Sequence, residues 1–320
     1  MNSTLVTVVC NRDLWNFELQ VRSISKYLAP CRIIFIYNEN PERWKEFKKW
    51  YALRCEPLLK KFEVKLFRKD SLFFDYNLDS MENRLFTEPI YDQQLIKLFV
   101  SEYVITENYT VIDCKNFFTK PCRISDIKQT KPENLEYADD KLYSFVIACA
   151  AKLGVRYTGR KNFLLSSNIT PFIMKKKSVQ KLIKHFKGKA AIHQWMLEWC
   201  NTDSNMAEFY LYEVFTKLKG IQDPGGCLSN TVTVWEHCFW FDENNDAAEA
   251  RAMTGGLDLY VRYEESLIEK LGQNVYVCGL HTHTREYIDP KDIKKLLAYY
   301  KMEDCWPRLH CPFKKTKSDK

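Results

Sequence analysis

The first half of the chain alternates short apolar runs with segments in which apolar residues recur every three or four positions. Apolar runs bounded by turn residues predict buried strands, whereas the three-to-four spacing predicts amphipathic helices. The predicted strands are 5–10, 31–37, 62–67 and 109–113, and the predicted helices between them are 14–28, 44–61 and 90–105. This β-α-β-α-β-α-β order predicts an α/β fold, with helices packed on a mostly parallel central sheet.

The second half of the chain has a less regular pattern. Helices are predicted over 142–152, 178–185, 193–200, 205–218 and 288–301, and strands over 232–241 and 275–280. Residues 162–174 are predicted to be strands or a loop leading into them. No linker rich in Gly, Ser or Pro separates the two halves, so residues 1–313 are predicted to form a single domain, with halves 1–121 and 122–313. The lysine-rich tail, residues 314–320, is predicted to be disordered.

Composition narrows the class of protein. The 320 residues are 46% hydrophobic, which predicts a packed core. The formal charge of +7 is compatible with nucleic acid, anionic lipid or phosphorylated small molecules as partners and does not distinguish among them. The twelve cysteines lack the spacing of a zinc site, so we expect reduced thiols and a cytoplasmic protein. No leader and no apolar run long enough to span a membrane are evident. Phosphate-binding glycine motifs are absent, which argues against Rossmann dehydrogenases and P-loop NTPases.

A carboxylate directly follows the fourth predicted strand. In the stretch VIDCKNFF, Val111 and Ile112 end an apolar run and Asp113 comes next. Ligands of open α/β sheets bind outside the carboxyl ends of the strands, so Asp113 lies where a ligand is expected. The alternative interpretation is an ordinary turn or helix-capping aspartate.

Two motifs around this aspartate carry a family resemblance. The pattern Q-x-x-K-L over residues 94–98 precedes the strand, and D-x-K-N-x-F over residues 113–118 follows it. Residues 5–121 thereby resemble GT-A glycosyltransferases, in which an Asp-x-Asp motif follows the fourth strand. More narrowly, they resemble a little-characterised group of glycosyltransferase-like proteins with that fold.

The resemblance implies a nucleotide-sugar donor whose diphosphate is held at the strand end, usually through Mn²⁺ or Mg²⁺. The metal ligands implied are Asp113, His281 and His283, because the late His-x-His places two imidazoles on one side of a strand. The alternative for the histidines is partial exposure near a strand end. Lys115 replaces the second Asp of the motif, and its ammonium could neutralise the leaving diphosphate directly, so the need for a cation stays open.

A catalytic base and further donor contacts follow from the same resemblance. An inverting transferase needs a carboxylate to deprotonate the acceptor, and Glu208 near the start of a helix matches that place, with Asp203 in reserve. Complementarity to the helix dipole is the alternative explanation of both. The donor-binding candidates, each of which has a polar-turn or solvated-surface alternative, are Asn11, Arg12, Asn38, Lys97, Asp113, Lys115, Asn116, His281 and His283.

The predicted function is therefore transfer of a sugar from a nucleotide-sugar to a glycan or lipid-linked glycan, as in polysaccharide biosynthesis. The rival hypothesis is a non-catalytic nucleotide or glycan binder on the same scaffold. A nucleic-acid-binding protein ranks lower, because no recognition motif for nucleic acid is present. The basic segment 175–189 is either a peripheral contact with an anionic membrane or a solvated face.

Overall fold

The computed structural model describes residues 3–73, 89–127, 136–137, 147–155, 164–165, 170–200, 208–221, 226–227, 231–233, 239–241, 261–263, 275–280 and 290–307. The strands within these ranges are β1 Ser3–Val9, β2 Arg32–Tyr37, β3 Glu63–Arg68, β4 Asn108–Val111, β5 Asn116–Phe118, β6 Glu136–Tyr137, β7 Leu164–Leu165, β8 Phe172–Lys175, β9 Gly226–Cys227, β10 Thr231–Thr233, β11 Phe239–Phe241, β12 Val261–Tyr263 and β13 Val277–Gly279. The α-helices whose ends lie within the described residues are α1 Leu14–Tyr27, α2 Trp44–Arg54, α3 Asp70–Phe73, α4 Pro89–Phe99, α5 Lys176–His185, α6 Lys189–Cys200, α7 Glu208–Leu218 and α8 Pro290–Tyr299. Residues 147–152 are also helical.

The central sheet has six strands in the order β3-β2-β1-β4-β8-β9. Strands β1 to β4 are parallel to one another, whereas β8 runs antiparallel to β4 and β9 antiparallel to β8. The predicted mostly parallel sheet is thus confirmed. The chain adds β2 and β3 on one side of β1 and then places β4 on the other side. The strand order therefore reverses between β1 and β4, which is where open α/β sheets bind ligands.

Strands β1, β2 and β4 are buried on both faces, whereas the edge strand β3 exposes Glu63 and Lys65. Along β1, Leu5 and Val9 pack with α1 and α2 on one face, while Val6 and Val8 pack with α4, α5 and α7 on the other. Neighbouring side chains of a strand point to opposite faces, so a strand covered on both faces reads as an almost continuous apolar run. The runs that predicted these strands have this origin, and the predicted flanking helices are confirmed.

A smaller sheet, β10-β13-β5, extends the molecule beyond the carboxyl end of β4. Strand β13 runs antiparallel to β5, and Gly279 pairs with Asn116. A separate apolar cluster fills the space between this sheet and α8. Strand β5 was not predicted, because three residues directly after a turn give too short a pattern.

Buried polar residues at helical spacing join α1 to this small sheet. Asn16, Gln20 and Ser23 lie four and three positions apart on α1 and are almost fully buried. Asn16 Nδ2 donates to the Leu280 carbonyl at 3.1 Å, and Ser23 Oγ accepts from the Phe118 N–H at 3.0 Å. Gln20 Nε2 donates to the Asp113 and Asn116 carbonyls, so each of the three side chains bonds to backbone at this junction.

Some predicted element boundaries are wrong. The helix predicted over 44–61 ends at Arg54 and is followed by a 3-10 turn, Glu56–Leu59. Pro57 explains this, because proline lacks the N–H that a helix requires and disfavours helical backbone at the preceding residue. The helix predicted over 90–105 ends at Phe99 and also continues as a 3-10 turn. The strand predicted over 232–241 appears instead as β10 and β11, which belong to different sheets.

The sequence also predicted the absence of membrane-spanning helices, reduced cysteines and a single domain. Within the described residues no helix combines the length and the apolarity needed to cross a bilayer. Eight of the described cysteines are free thiols and buried, as the sequence predicted. The tail 314–320 lies outside the described residues, and the single domain with its two halves remains a prediction.

Candidate functional site

Polar and charged side chains follow β1, β2 and β4 at the edge of the sheet where these parallel strands end. Asn11 and Arg12 come after β1, Asn38 after β2 and Asp113 after β4. The reversal of strand order between β1 and β4 opens this edge to a ligand. The topology thus brings four of the predicted site residues to one edge, and this edge is the candidate site.

The motif D-x-K-N forms a tight turn that fixes Asp113. The Asn116 N–H donates to the Asp113 carbonyl at 3.0 Å, and the Asp113 N–H donates to Asn116 Oδ1 at 3.2 Å. Thr170 Oγ1 donates to the same Asn116 oxygen at 2.7 Å. Gln20 Nε2 donates to the Asp113 carbonyl at 2.7 Å from the other side. The buried Asn116 amide therefore holds the turn, and its predicted contact with a donor remains a prediction.

Cys114, at the variable second position of the motif, and Phe118, its last letter, are structural as well. Cys114 is buried, and its Sγ donates to the Val8 carbonyl at 3.0 Å, which ties the turn to β1. Phe118 is completely buried in the cluster between α1, α2 and the sheet. With Cys114 and Phe118 held in the core, the turn leaves Asp113 and Lys115 at the strand end.

A buried cluster of charges lies directly behind this turn. Lys97 Nζ, from α4, lies 3.1 Å from Asp113 Oδ1 and forms an ion pair with Glu208 Oε1 at 2.8 Å. The ammonium also lies 4.9 Å from the ring centre of Phe209, the second residue of α7. Gln93, one helical turn before Lys97, approaches Asp113 Oδ1 at 3.5 Å. Lys97 therefore joins α4, the end of β4 and the start of α7.

Burial and ion pairing shift the pKa values of this cluster in opposite directions. Burial alone would raise the pKa of Asp113, but Lys97 and Lys115 outweigh it and lower that pKa to about 2. Burial would lower the pKa of Lys97, but the two carboxylates outweigh it and the pKa rises. For Glu208, burial prevails over Lys97 and raises the pKa. The cluster thus holds one firmly ionised carboxylate and one whose proton affinity is increased.

Lys115 lies on the solvent side of Asp113. Its Nζ is 3.8 Å from Asp113 Oδ2, and about a fifth of the side chain is exposed. Its backbone carbonyl accepts from the Leu280 N–H at 2.7 Å. Leu280, which makes this contact with Lys115, directly precedes His281, the first residue of the predicted His-x-His motif. His281, His283 and Asp203 lie outside the described residues, and their roles remain predictions.

The residues after β1 and β2 form a second polar group along the same edge. Asn11 Oδ1 accepts from the Tyr37 hydroxyl at 2.6 Å, and the Asn11 N–H donates to Glu39 Oε1 at 2.9 Å. Asn38 is buried, and its N–H donates to the Val9 carbonyl at 2.9 Å. Arg12 is more than half exposed. Asn11 and Asn38 thus brace the two strand ends, and donor contacts by these residues remain predictions.

Sequence reasoning missed three residues of the site: Gln20, Gln93 and Thr170. A signal for Gln20 was present, because Asn16, Gln20 and Ser23 recur at helical spacing as uncharged polar residues among the apolar positions of this helix. Gln93 stands four positions before Lys97 and therefore shares its helix face. Thr170 comes from a distant part of the chain, and nothing local in the sequence indicates it.

The described residues do not fit a divalent cation well. Both oxygens of Asp113 face ammonium groups, and no cluster of three or more His, Cys, Asp or Glu side chains suited to a metal occurs within the described ranges. Mn²⁺ and Mg²⁺ bind through carboxylate oxygens that are free to coordinate. The chemical step proposed for this site therefore does not use the cation that the resemblance implies.

The chain belongs to a protein family of unknown function. A family model described as "Family of unknown function (DUF6492)" matches residues 10–254, which is more than half of the chain. No curated protein matches the sequence.

Among solved structures, remote similarities occur to glycosyltransferases. A galactosyltransferase, LgtC, in complex with donor and acceptor sugar analogues has 9% identity and a TM-score of 0.41, over 96% of this chain and 97% of that chain. Apo WbbM, a bifunctional glycosyltransferase, has 7% identity and a TM-score of 0.41, over 95% and 52%. Mouse xyloside xylosyltransferase 1 has 10% identity and a TM-score of 0.34, over 70% and 83%. At these scores the similarities carry no argument about function, which is argued from the chain's own residues.

The buried cluster predicts a large loss of stability when its cation alone is removed. Lys97→Met removes the cation that pairs with the buried Glu208 and leaves Asp113 only the longer contact with Lys115, so the free energy of unfolding should fall by about 3–5 kcal/mol. The double variant Lys97→Met/Glu208→Gln should lose less, because one buried charge is also removed. Urea unfolding measures both, and Lys65→Met at an exposed site is the control, with an expected change within about 0.5 kcal/mol. If the double variant were no more stable than Lys97→Met, the Lys97 ammonium would not be compensating the buried charge of Glu208.

Proposed function

We propose that this member of the family is a glycosyltransferase that moves a sugar from a nucleotide-sugar donor to a hydroxyl of a glycan or lipid-linked glycan. The observation that carries the proposal is the charged cluster of Lys97, Asp113, Lys115 and Glu208 at the carboxyl end of β4. It lies at the reversal of strand order, and its turn is built from the motif on which the resemblance to glycosyltransferases rests. The proposal extends to a role in polysaccharide biosynthesis.

The donor is proposed to bind with its nucleoside across the ends of β1 and β2 and its diphosphate at Lys115. Asn11, Arg12 and Asn38 offer amide, guanidinium and backbone groups for the base and ribose. The Asn11 Nδ2 amino group has no hydrogen-bond partner among the described residues, although the side chain is almost buried. A buried donor of this kind is costly unless a ligand or water accepts from it, which supports a polar ligand here.

In the proposed chemical step one proton is transferred, one bond to the anomeric carbon forms and another bond to the same carbon breaks. The Glu208 carboxylate takes the proton of the acceptor hydroxyl while the hydroxyl oxygen bonds to the anomeric carbon. The bond from that carbon to the diphosphate oxygen breaks, and its electron pair leaves with the diphosphate, whose charge the Lys115 ammonium stabilises. Attack from the face opposite the leaving group inverts the anomeric centre.

Two features of Glu208 support its proposed role as the catalytic base. It lies at the first residue of α7 with its side chain almost buried, and its pKa is raised, which increases its affinity for a proton. Catalytic bases commonly combine burial with a neighbouring charge in this way. Lys97 keeps the carboxylate oriented and limits the rise of its pKa. Asp203, the reserve candidate, remains a proposal from sequence alone.

A peripheral membrane contact is proposed through charge alone. The apolar side of α5, formed by Val179, Leu182 and Ile183, packs in the core and is not available to a bilayer. Lys175 pairs with Glu107, and the buried Lys189 pairs with Glu102, so the ends of the predicted segment are engaged. Exposed lysines of the segment that have no carboxylate partner among the described residues are Lys177, Lys181, Lys184 and Lys187.

Donor binding is the first test of the proposed function. UDP-, GDP-, CDP- and dTDP-sugars are each added at about 100 times the dissociation constant, and one nucleotide class should stabilise the wild type by about 2.7 kcal/mol. The thermal midpoint measures this stabilisation, and release of free sugar or its transfer to a glycan acceptor measures activity. Asp113→Asn should lose both, whereas Asp126→Asn, at an exposed carboxylate, should keep both. Stabilisation without any turnover would favour the rival hypothesis of a non-catalytic binder, and no stabilisation by any donor would refute donor binding.

Glu208→Gln is predicted to lower kcat by about 10²- to 10⁴-fold with little change in donor affinity. A base acts when deprotonated, so wild-type kcat should rise with pH through the pKa of Glu208, at a higher pH than for an ordinary carboxyl group. The variant should lose this rise. Glu213→Gln, at another buried carboxylate of α7, is the matched control and should retain the wild-type profile. A Glu208→Gln rate within about threefold of wild type would remove Glu208 from catalysis.

Charge-driven membrane contact predicts binding to vesicles that contain phosphatidylserine but not to pure phosphatidylcholine. Each of the four exposed lysines of α5 and its C-terminal turn should contribute about 1 kcal/mol. Replacing all four by Gln should therefore abolish co-sedimentation, as should 1 M salt. Equal binding to both kinds of vesicle, or binding to neither, would contradict the contact.

A further inference from the structure

Each carboxylate oxygen of Asp113 already faces a cation of the protein. Oδ1 lies 3.1 Å from Lys97 Nζ and Oδ2 lies 3.8 Å from Lys115 Nζ. A divalent ion bound to Asp113 would stand a few ångströms from two ammonium groups and would be repelled by both. The site as built already supplies the positive charge that a metal would bring.

Lys97 has little freedom to make room for a metal. Its side chain is only 7% exposed, and Glu208 and the ring of Phe209 hold the ammonium from the other side. Two carboxylates and two ammonium groups give the cluster a formal charge of zero, so no excess negative charge is left to attract a cation. In this cluster Asp113 acts as the anchor of the two lysines.

Lys115 is the cation of the cluster that remains open to a ligand. The D-x-K-N turn fixes its backbone, and the bond from the Leu280 N–H to its carbonyl fixes it from β13. At 3.8 Å its contact with Asp113 is long for a hydrogen bond, so the protons of the ammonium stay available. A lysine held in this way at a strand end presents a fixed positive charge to an anion.

We infer that the site binds the diphosphate of its donor without a divalent cation, with the Lys115 ammonium taking the place of the metal and Asp113 positioning it. This inference rests on the proposed function, because it specifies how the proposed donor is held. The ligand class is a nucleoside diphosphate or its sugar ester. Asp113 is here a positioning residue, and Lys115 is the group that touches the phosphate oxygens and receives the negative charge of the leaving group.

Calorimetric titration of the full chain with UDP, GDP, CDP and dTDP tests this inference, because it reads binding and does not depend on turnover. Each titration is run in EDTA and again in Mn²⁺ at matched ionic strength. For the nucleoside diphosphate that binds, the dissociation constant should agree within about threefold between the two conditions. Lys115→Met should weaken binding by about 10- to 100-fold in both, the loss expected for a charged hydrogen bond.

Two further variants separate a specific contact from general charge and from misfolding. Lys115→Arg keeps the positive charge and should retain binding in EDTA. Lys120→Met removes a nearby lysine that lies over the Tyr276 ring and should bind within about threefold of wild type. The thermal midpoint of each variant without nucleotide reports whether it folds.

The outcomes distinguish the inference from the function on which it rests. Binding that needs Mn²⁺ and disappears in EDTA would overturn the inference and leave the proposed transferase standing. Metal-independent binding that Lys115→Met does not weaken would also overturn it, since another group would then hold the phosphates. No binding of any nucleoside diphosphate in either condition would overturn both. Metal-independent binding lost in Lys115→Met and kept in Lys115→Arg supports the inference.

Discussion

The ammonium group of Lys97 is the interaction on which the strand-end cluster depends. It reaches from α4 to Asp113 after β4 and to Glu208 at the start of α7, so one side chain connects three elements. None of the three charges would be tolerated alone at this depth, because an unpaired buried ion loses its hydration without compensation. The cluster is therefore a single unit, and substitutions within it should be interpreted together. The residues proposed for chemistry and those that hold the fold overlap at this point.

The parts of this architecture that are local in sequence could be predicted from sequence. Apolar runs and turn residues placed β1, β2 and β4, because burial on both faces leaves a continuous apolar signal, and helical spacing placed α1 and α4. Strand β3 instead alternates the exposed Glu63 and Lys65 with partly buried residues. Asp113 and Asn38 could be placed at strand ends for the same reason, since each polar residue directly follows such a run. The start of α7 close to Glu208 followed from helical spacing.

The parts that depend on contacts between distant segments could not be predicted. Thr170 reaches the D-x-K-N turn only because β8 pairs with β4, and no local pattern encodes that pairing. The sequence suggested that Asn116 contacts a ligand, which remains a prediction, but it did not indicate that the Asn116 side chain closes the turn. Lys97 resembled a surface lysine, since its burial is set by α7, a helix far along the chain. A motif thus identifies where a site lies before it reveals which of its residues touch the ligand.

The pairing of β13 with β5 has a consequence for the order in which the molecule assembles. Strands β1 to β4 all lie in the first 111 residues. The pairings of β1 with β2 and of β2 with β3 join neighbouring segments, which favours early formation, whereas β4 closes a longer loop by pairing Asn108 with Ser3. Leu280 comes to Lys115 from more than half a chain length away, so that contact closes a long loop. During synthesis the parallel sheet can therefore form while the last third of the chain is still absent. The turn that carries Asp113 and Lys115 gains its final neighbour late, and the maturation of the site lags behind that of the core.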